Sequence, residues 1–497
     1  MFPAAELRVD ILIEVKINKF FKRKEIIMKK LISTLLLVAI MAAAVLSLGS
    51  CSLGKAKPNF EVPEEGYTGE EVTISFYHTM GENLNTVLDA YIVEFNKLYP
   101  NIHVVWEQVG NYDDVRDQIK TEITVGDQPN IAYCYPDHVA LYNIAGAVAT
   151  LDNLIDSKLV VTRADGTTET LGFTKEQKDD FIQGFYNEGK SFGDGLMYTL
   201  PFSKSTEVLY YNKTFFEANN LSLPKTWDEM EALCKKIKEI DPNCIPLGYD
   251  SESNWFITMC EQYGYDYTSA DEDNHFLFDN ANNKSFVKRF REWYKAGYVT
   301  TQKIFGSYTS GLFVEQTGTK SYMSIGSSAG ATHQRPSKVD GAYPFEVGIT
   351  SIPQVNAKNG KVISQGPSVC IFKDENPQEV LASWLFVKYL TTSVEFQAEF
   401  SMASGYVPVI KSVANNPVYA DFMNNANGGD NVAALSAKVC LEQEKYYFTS
   451  PAFNGSSEAR DQVGNLMIQI FALPDDGLDA AVDKAFKDAI GECEYSS

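Results

Sequence analysis

From Val72 onward, short apolar runs alternate with stretches in which apolar residues recur every three or four positions. Residues 72–77 carry a strand pattern; Leu84, Val87, Leu88, Tyr91, Ile92, Phe95 and Leu98 then form a helical stripe that stops before Pro100. A second strand is expected at 102–106, a helix at 113–125 ending at Gly126, and a third strand at 130–135. Strands joined by helical crossovers of this length predict a parallel sheet covered by helices. The alternation returns further on, with strands at 207–211, 245–248, 321–325 and 368–372 and helices at 285–296, 378–390 and 458–471. Thr226 with Glu229 spells a capping box that opens another helix. The pattern therefore predicts an α/β protein with two lobes and no short repeat.

Composition narrows the function. The 497 residues include 65 acidic and 43 basic side chains, a formal charge of −22, and 44% of positions are hydrophobic. Such a chain has ample core material, which excludes a disordered protein. Nucleic-acid binding needs clustered Lys and Arg, and no basic stripe follows residue 30, so no nucleic-acid partner is expected.

The start of the chain points to export. Lys29 and Lys30 precede the uncharged 16-residue run 31–46, which is shorter than the ~20 residues a spanning helix needs. Leu48-Gly49-Ser50-Cys51 follows and resembles the lipobox of bacterial lipoproteins, which implies lipidation at Cys51 and anchorage outside the cell membrane. Residues 1–27 carry Glu6, Asp10, Glu14 and Glu25, which do not suit a short basic leader. The expected order is a mis-assigned start at 1–27, a signal peptide at 28–50 and a Pro- and Gly-bearing tether at 51–70.

Chemistry is sparse. There is no phosphate loop, no dinucleotide fingerprint and no HExxH, and the five histidines share no metal spacing, so neither cofactor nor metal is expected. Beyond Cys51 seven cysteines remain, without a CxxC; Cys134 and Cys370 read as buried apolar residues, while Cys234 and Cys244 are able to pair. Gly326-Ser327-Ser328-Ala329-Gly330 matches the letters of a hydrolase nucleophile elbow, but the last histidine, His333, lies only five residues on and Pro336 interrupts the following helix. A turn presenting hydroxyls is the better expectation. A glycosidase carboxylate pair stays open, because spacing along the chain cannot exclude one.

Several segments, in order, resemble the extracellular solute-binding proteins of bacterial ABC importers, in particular the carbohydrate group with the maltose-binding and glycerol-3-phosphate-binding proteins. They are Phe76-Tyr77-His78-Thr79-Met80, Gly110-Asn111-Tyr112, and Pro201-Phe202 leading through Ser205-Thr206 to Leu209-Tyr210-Tyr211-Asn212-Lys213. Pro224-Lys225-Thr226-Trp227, Gly326-Ser327-Ser328 and Ser404-Gly405-Tyr406-Val407-Pro408 complete the series. The resemblance implies a two-lobed periplasmic-binding-protein-like fold of type II, with lobe 1 at 71–203 and 352–394, lobe 2 at 204–351 and 395–497, and a ligand cleft between them. It implies a monomer that captures a small carbohydrate or sugar phosphate and delivers it to membrane permease subunits, with no catalysis. Carried over residue by residue, it places Tyr112, Ser205, Trp255, Ser327, Ser328, Gly366, Tyr406 and Arg460 around the ligand. The chain departs from the glycerol-phosphate pattern at Tyr135-Pro136-Asp137-His138, which leaves two alternatives: Asp137 replaces a carboxylate one position late, or the pocket differs. The alternatives are a glycerol-3-phosphate or glycerophosphodiester ligand, and a secreted carbohydrate-active hydrolase.

Overall fold

The computed structural model describes residues 60–270, 274–315 and 317–496; Cys51, the expected signal peptide and the first part of the tether, 51–59, lie outside them. Strand β1 (Val72–His78) alternates buried and half-exposed positions, and the helix Glu82–Leu98 covers it with Leu88, Tyr91, Ile92 and Phe95. Strands β2 (Ile102–Gln108) and β3 (Ile131–Cys134) both pair with β1 in parallel. A small hairpin, β4 (Val160–Thr162) with β5 (Thr168–Thr170), precedes the short β6 (Leu200–Pro201).

The chain then enters a second sheet through β7 (Ser205–Asn212). This sheet also holds β8 (Leu247–Tyr249), β9 (Val299–Thr301), β10 (Met323–Ser327), β11 (Val347–Ser351), β12 (Val362–Gln365) and, at its edge, β14 (Tyr447–Phe448). Strand β13 (Ser368–Ile371) returns to the first sheet, whose order is β2-β1-β3-β13-β6. The parallel expectation holds for β2-β1-β3 and for β10-β8-β9, whereas β7 runs antiparallel to β10, β11 and β12, and β13 antiparallel to β3 and β6. Both sheets are thus mixed.

The cores correct the lobe boundaries expected from the sequence. Residues 352–365 belong with the second sheet, since β12 pairs with β7 and β14, so the second crossover falls at Gly366–Pro367 and not at 351. The helix Val394–Ser404 belongs to the first lobe: Phe396 packs edge-on against Tyr91 and Phe202, and Phe400 against Phe202. Sequence pattern marks this helix as apolar but does not say which lobe it covers. The chain leaves the first core after Tyr419 and rejoins the second with Val432. The seven described cysteines are buried and unpaired, including Cys234 and Cys244. Among the described residues no helix is long and apolar enough to cross a membrane, and no cluster of three or more His, Cys, Asp or Glu is placed to hold a metal ion.

Candidate functional site

The carboxyl ends of β2, β3, β8 and β10 and the start of β7 open on one cavity of about 580 Å³. This is the place and size expected of a small-ligand site in open α/β sheets. Each wall has a local cause. Asn111 caps the helix Tyr112–Ile123 through a capping box with Asp114, which sets Tyr112 as the first helical residue at the cavity mouth. Tyr135 follows β3 directly, and its ring lies 4.8 Å from that of Tyr112. Gly405 ends a helix in the left-handed conformation, φ 76°, and turns the chain so that Tyr406 joins these phenols. Burial raises the pKa of all three tyrosines, and Tyr112 and Tyr406 also act on each other.

Across the cavity, Ser327 ends β10, donates to Ser205 Oγ at 3.2 Å and accepts the Ala329 N–H. The following turn, Ser328–Gln334, is a 3₁₀ helix and not the α-helix of a nucleophile elbow. Gly366 sits at φ 88°, and a Cβ there would come within 2.5 Å of the Ser203 carbonyl oxygen, so only glycine lets the first and second crossovers touch.

Arg460, in the helix Ser456–Phe471, donates through Nη2 to Asn254 Oδ1. Asn254 Nδ2 donates in turn to Glu207 Oε1 at 3.1 Å, and the Tyr249 hydroxyl donates to Glu207 Oε2 at 2.6 Å. This relay ties two strands and two helices of the second lobe to one guanidinium. Burial pushes the Glu207 carboxyl up to about 7, against the pull of Tyr249, Asn254 and Arg460. Asp250 is raised as well by burial, although its Oδ1 accepts from Thr309 N at 2.7 Å and Thr309 Oγ1 at 2.6 Å.

Six of the residues singled out from the sequence therefore meet on this cavity: Tyr112, Ser205, Ser327, Gly366, Tyr406 and Arg460. Three do not line it. Trp255 is fully buried in the second core, stacked on Tyr249 at 4.8 Å, because one residue along a helix turns the side chain by ~100° and it is Asn254 that faces the cavity. Ser328 is buried, with Oγ accepting from Thr206 N at 3.2 Å and its carbonyl accepting from Ser436 Oγ at 2.8 Å. Asp137 accepts from Ser457 Oγ at 2.6 Å and faces an adjoining space of about 120 Å³, whose walls share Tyr135, Gln365 and Arg460 with the larger cavity. Sequence reasoning missed Tyr135, Glu207, Asp250 and Asn254. Glu207 had a visible signal, a carboxylate opening a strand of otherwise apolar and aromatic residues.

Comparison with known proteins gives the same direction. The chain is 25% identical over 354 residues to a maltotriose-binding protein of Pyrococcus abyssi, covering 69% of this chain and 68% of that one. It is 23% identical over 451 residues to the sn-glycerol-3-phosphate-binding periplasmic protein UgpB of Salmonella typhimurium, covering 84% and 93%. Among solved structures, UgpB from Mycobacterium tuberculosis in complex with glycerophosphocholine superimposes with a TM-score of 0.67 at 16% identity, over 85% of this chain and 98% of that one. The bacterial extracellular solute-binding protein family matches residues 90–427, and the chain belongs to that family.

Proposed function

We propose that this protein captures an extracellular carbohydrate in the cavity between its lobes and hands it intact to the permease of an ABC importer, held at the cell surface by a lipid on Cys51 and acting as a monomer. The observation that carries this reading is the pairing of an aromatic wall, Tyr112, Tyr135 and Tyr406, with an opposite wall of hydroxyls and a forked donor, Ser205, Ser327 and Arg460. Sugars have that dual character: ring C–H faces that lie on aromatic rings, and hydroxyls that give and take hydrogen bonds. Maltotriose, the named ligand of one relative, belongs to the same class. Catalysis has no part in this reading. Glu207, the buried carboxyl with the most displaced pKa in the cavity, spends both oxygens on Asn254 and Tyr249.

A thermal-shift panel of mono-, di- and oligosaccharides tests it. A sugar present at about 100 times its dissociation constant adds ~2.7 kcal/mol to native stability if it binds only the folded state. At least one sugar is expected to raise the melting temperature and to be recovered unchanged. A panel without any shift, or hydrolysed product at enzyme-like rates, overturns the reading.

A further inference from the structure

We propose that the cavity turns away anionic solutes: Glu207 and Asp250 compensate the charge of Arg460, so that the site takes an uncharged sugar and rejects its phosphate ester. This rests on the cavity being the solute site. Among the described residues lining it, Arg460 is the one Lys or Arg, while Glu207 and Asp250 are both carboxylates. The guanidinium reaches Glu207 through a single intervening side chain, Asn254, so its charge is met inside the protein before any ligand arrives. Asp250 anchors Oδ1 on Thr309, and its Oδ2 lies over Gly326, where a Cβ would come within 2.7 Å of it.

A phosphate site is built differently. It gathers Lys or Arg and free N–H or O–H donors, often at the start of a helix. Here the hydroxyls at the start of the helix Ser456–Phe471 are already committed: Ser456 Oγ donates back to the Phe453 carbonyl at 2.7 Å, and Ser457 Oγ donates to Asp137. A dianion set against Arg460 adds negative charge beside two carboxyls that, once ionised, repel it. Sugar hydroxyls meet no such penalty, because they donate to the Asp250 carboxylate and accept from the guanidinium. Discrimination therefore comes from the repulsive groups as much as from the attractive one.

The test is calorimetric titration of the full chain at about pH 8, above the Glu207 pKa of about 7, with maltotriose, inorganic phosphate and glycerol 3-phosphate at constant ionic strength. Wild type is expected to show no saturable binding of either phosphate compound at millimolar concentration. Glu207→Gln with Asp250→Asn is expected to tighten glycerol 3-phosphate by at least about tenfold, and adding Arg460→Ala should abolish that gain. Circular dichroism confirms folding; if the double variant does not fold, each single variant is judged by the same gain. Arg460-dependent phosphate binding by wild type, or no gain in a folded variant, overturns the proposal. If the anions behave as expected but no sugar binds in the wider panel, the carbohydrate reading fails and the charge discrimination stands.

Discussion

Lys204 is fully buried and Arg460 only partly so, and the two cations differ in how completely they are used. Lys204, fully buried at the first crossover, donates to Glu188 Oε1 at 2.5 Å, to the Gly366 carbonyl at 3.1 Å and to Ser368 Oγ at 3.0 Å. Those bonds exhaust an ammonium group. Glu188 Oε2 accepts from Ser364 Oγ, and the Lys204 backbone pairs with Val407 on a further segment. One ion pair thus staples the strands that pass between the lobes. Arg460 has a larger set of donors and, among the described residues, hydrogen-bonds to Asn254 alone. A saturated charge fixes the frame, and an unsaturated one faces the cavity with donors to spare.

The largest effect that tests this contrast is on stability. Lys204→Met leaves Glu188 as a buried unpaired carboxylate and is expected to cost about 3–5 kcal/mol in urea unfolding, whereas Lys204→Met with Glu188→Leu should recover most of it. A single variant as stable as wild type removes the staple from the account. Next comes the Glu207 carboxyl. Its folded pKa of about 7 lies above the ordinary value of 4.5, so its contribution is fully present at acid pH and is lost as pH rises through 7. Unliganded protein is expected to lose about 3 kcal/mol between roughly pH 4.5 and 7 through this group. Glu207→Gln should flatten that part of the pH–stability curve; an unchanged curve contradicts the assignment.

At the cavity the effect moves from stability to affinity. Arg460→Ala is expected to weaken sugar binding by about 1.5–3 kcal/mol, the scale of a hydrogen bond from a charged group, with little change in the unfolding midpoint. The smallest contrast is between neighbouring serines. Ser327→Ala should lower affinity by about 0.5–1.5 kcal/mol, while Ser328→Ala, which removes a buried acceptor of the Thr206 N–H, should instead cost stability by about 0.5–1.5 kcal/mol. Titration calorimetry alongside urea unfolding separates these outcomes, and equal effects from both serines would sink the distinction.

Much of this was legible in the sequence, for physical reasons that also mark where legibility stops. The strand and helix periods around β1, β2 and β3 are local patterns, and so is the Thr226–Glu229 capping box, which forms as expected. The order of short segments picked out Tyr112, Ser205 and Tyr406, and the family pattern carried over from them added Arg460; all four line one cavity. Trp255 and Ser328 carry the right chemistry one position from the residue that faces the cavity, and a helix turn or a strand end decides which side chain points inward. The lobe boundaries at Gly366 and beyond Tyr419 depend on which core a helix covers, which no local pattern contains. Glu207 and Asn254 become visible only once β7 and two helices converge on Arg460.

Closure around an intact sugar is the central claim, and small-angle scattering tests it most directly. A two-lobed protein that makes contacts to its solute from both walls shifts toward a closed form when the solute binds. With the sugar that gives the largest thermal shift, the radius of gyration is expected to fall at saturation, and chromatography of the released ligand should show it unchanged. An unaltered radius of gyration in the presence of a bound sugar, or a ligand released in pieces, would contradict the account.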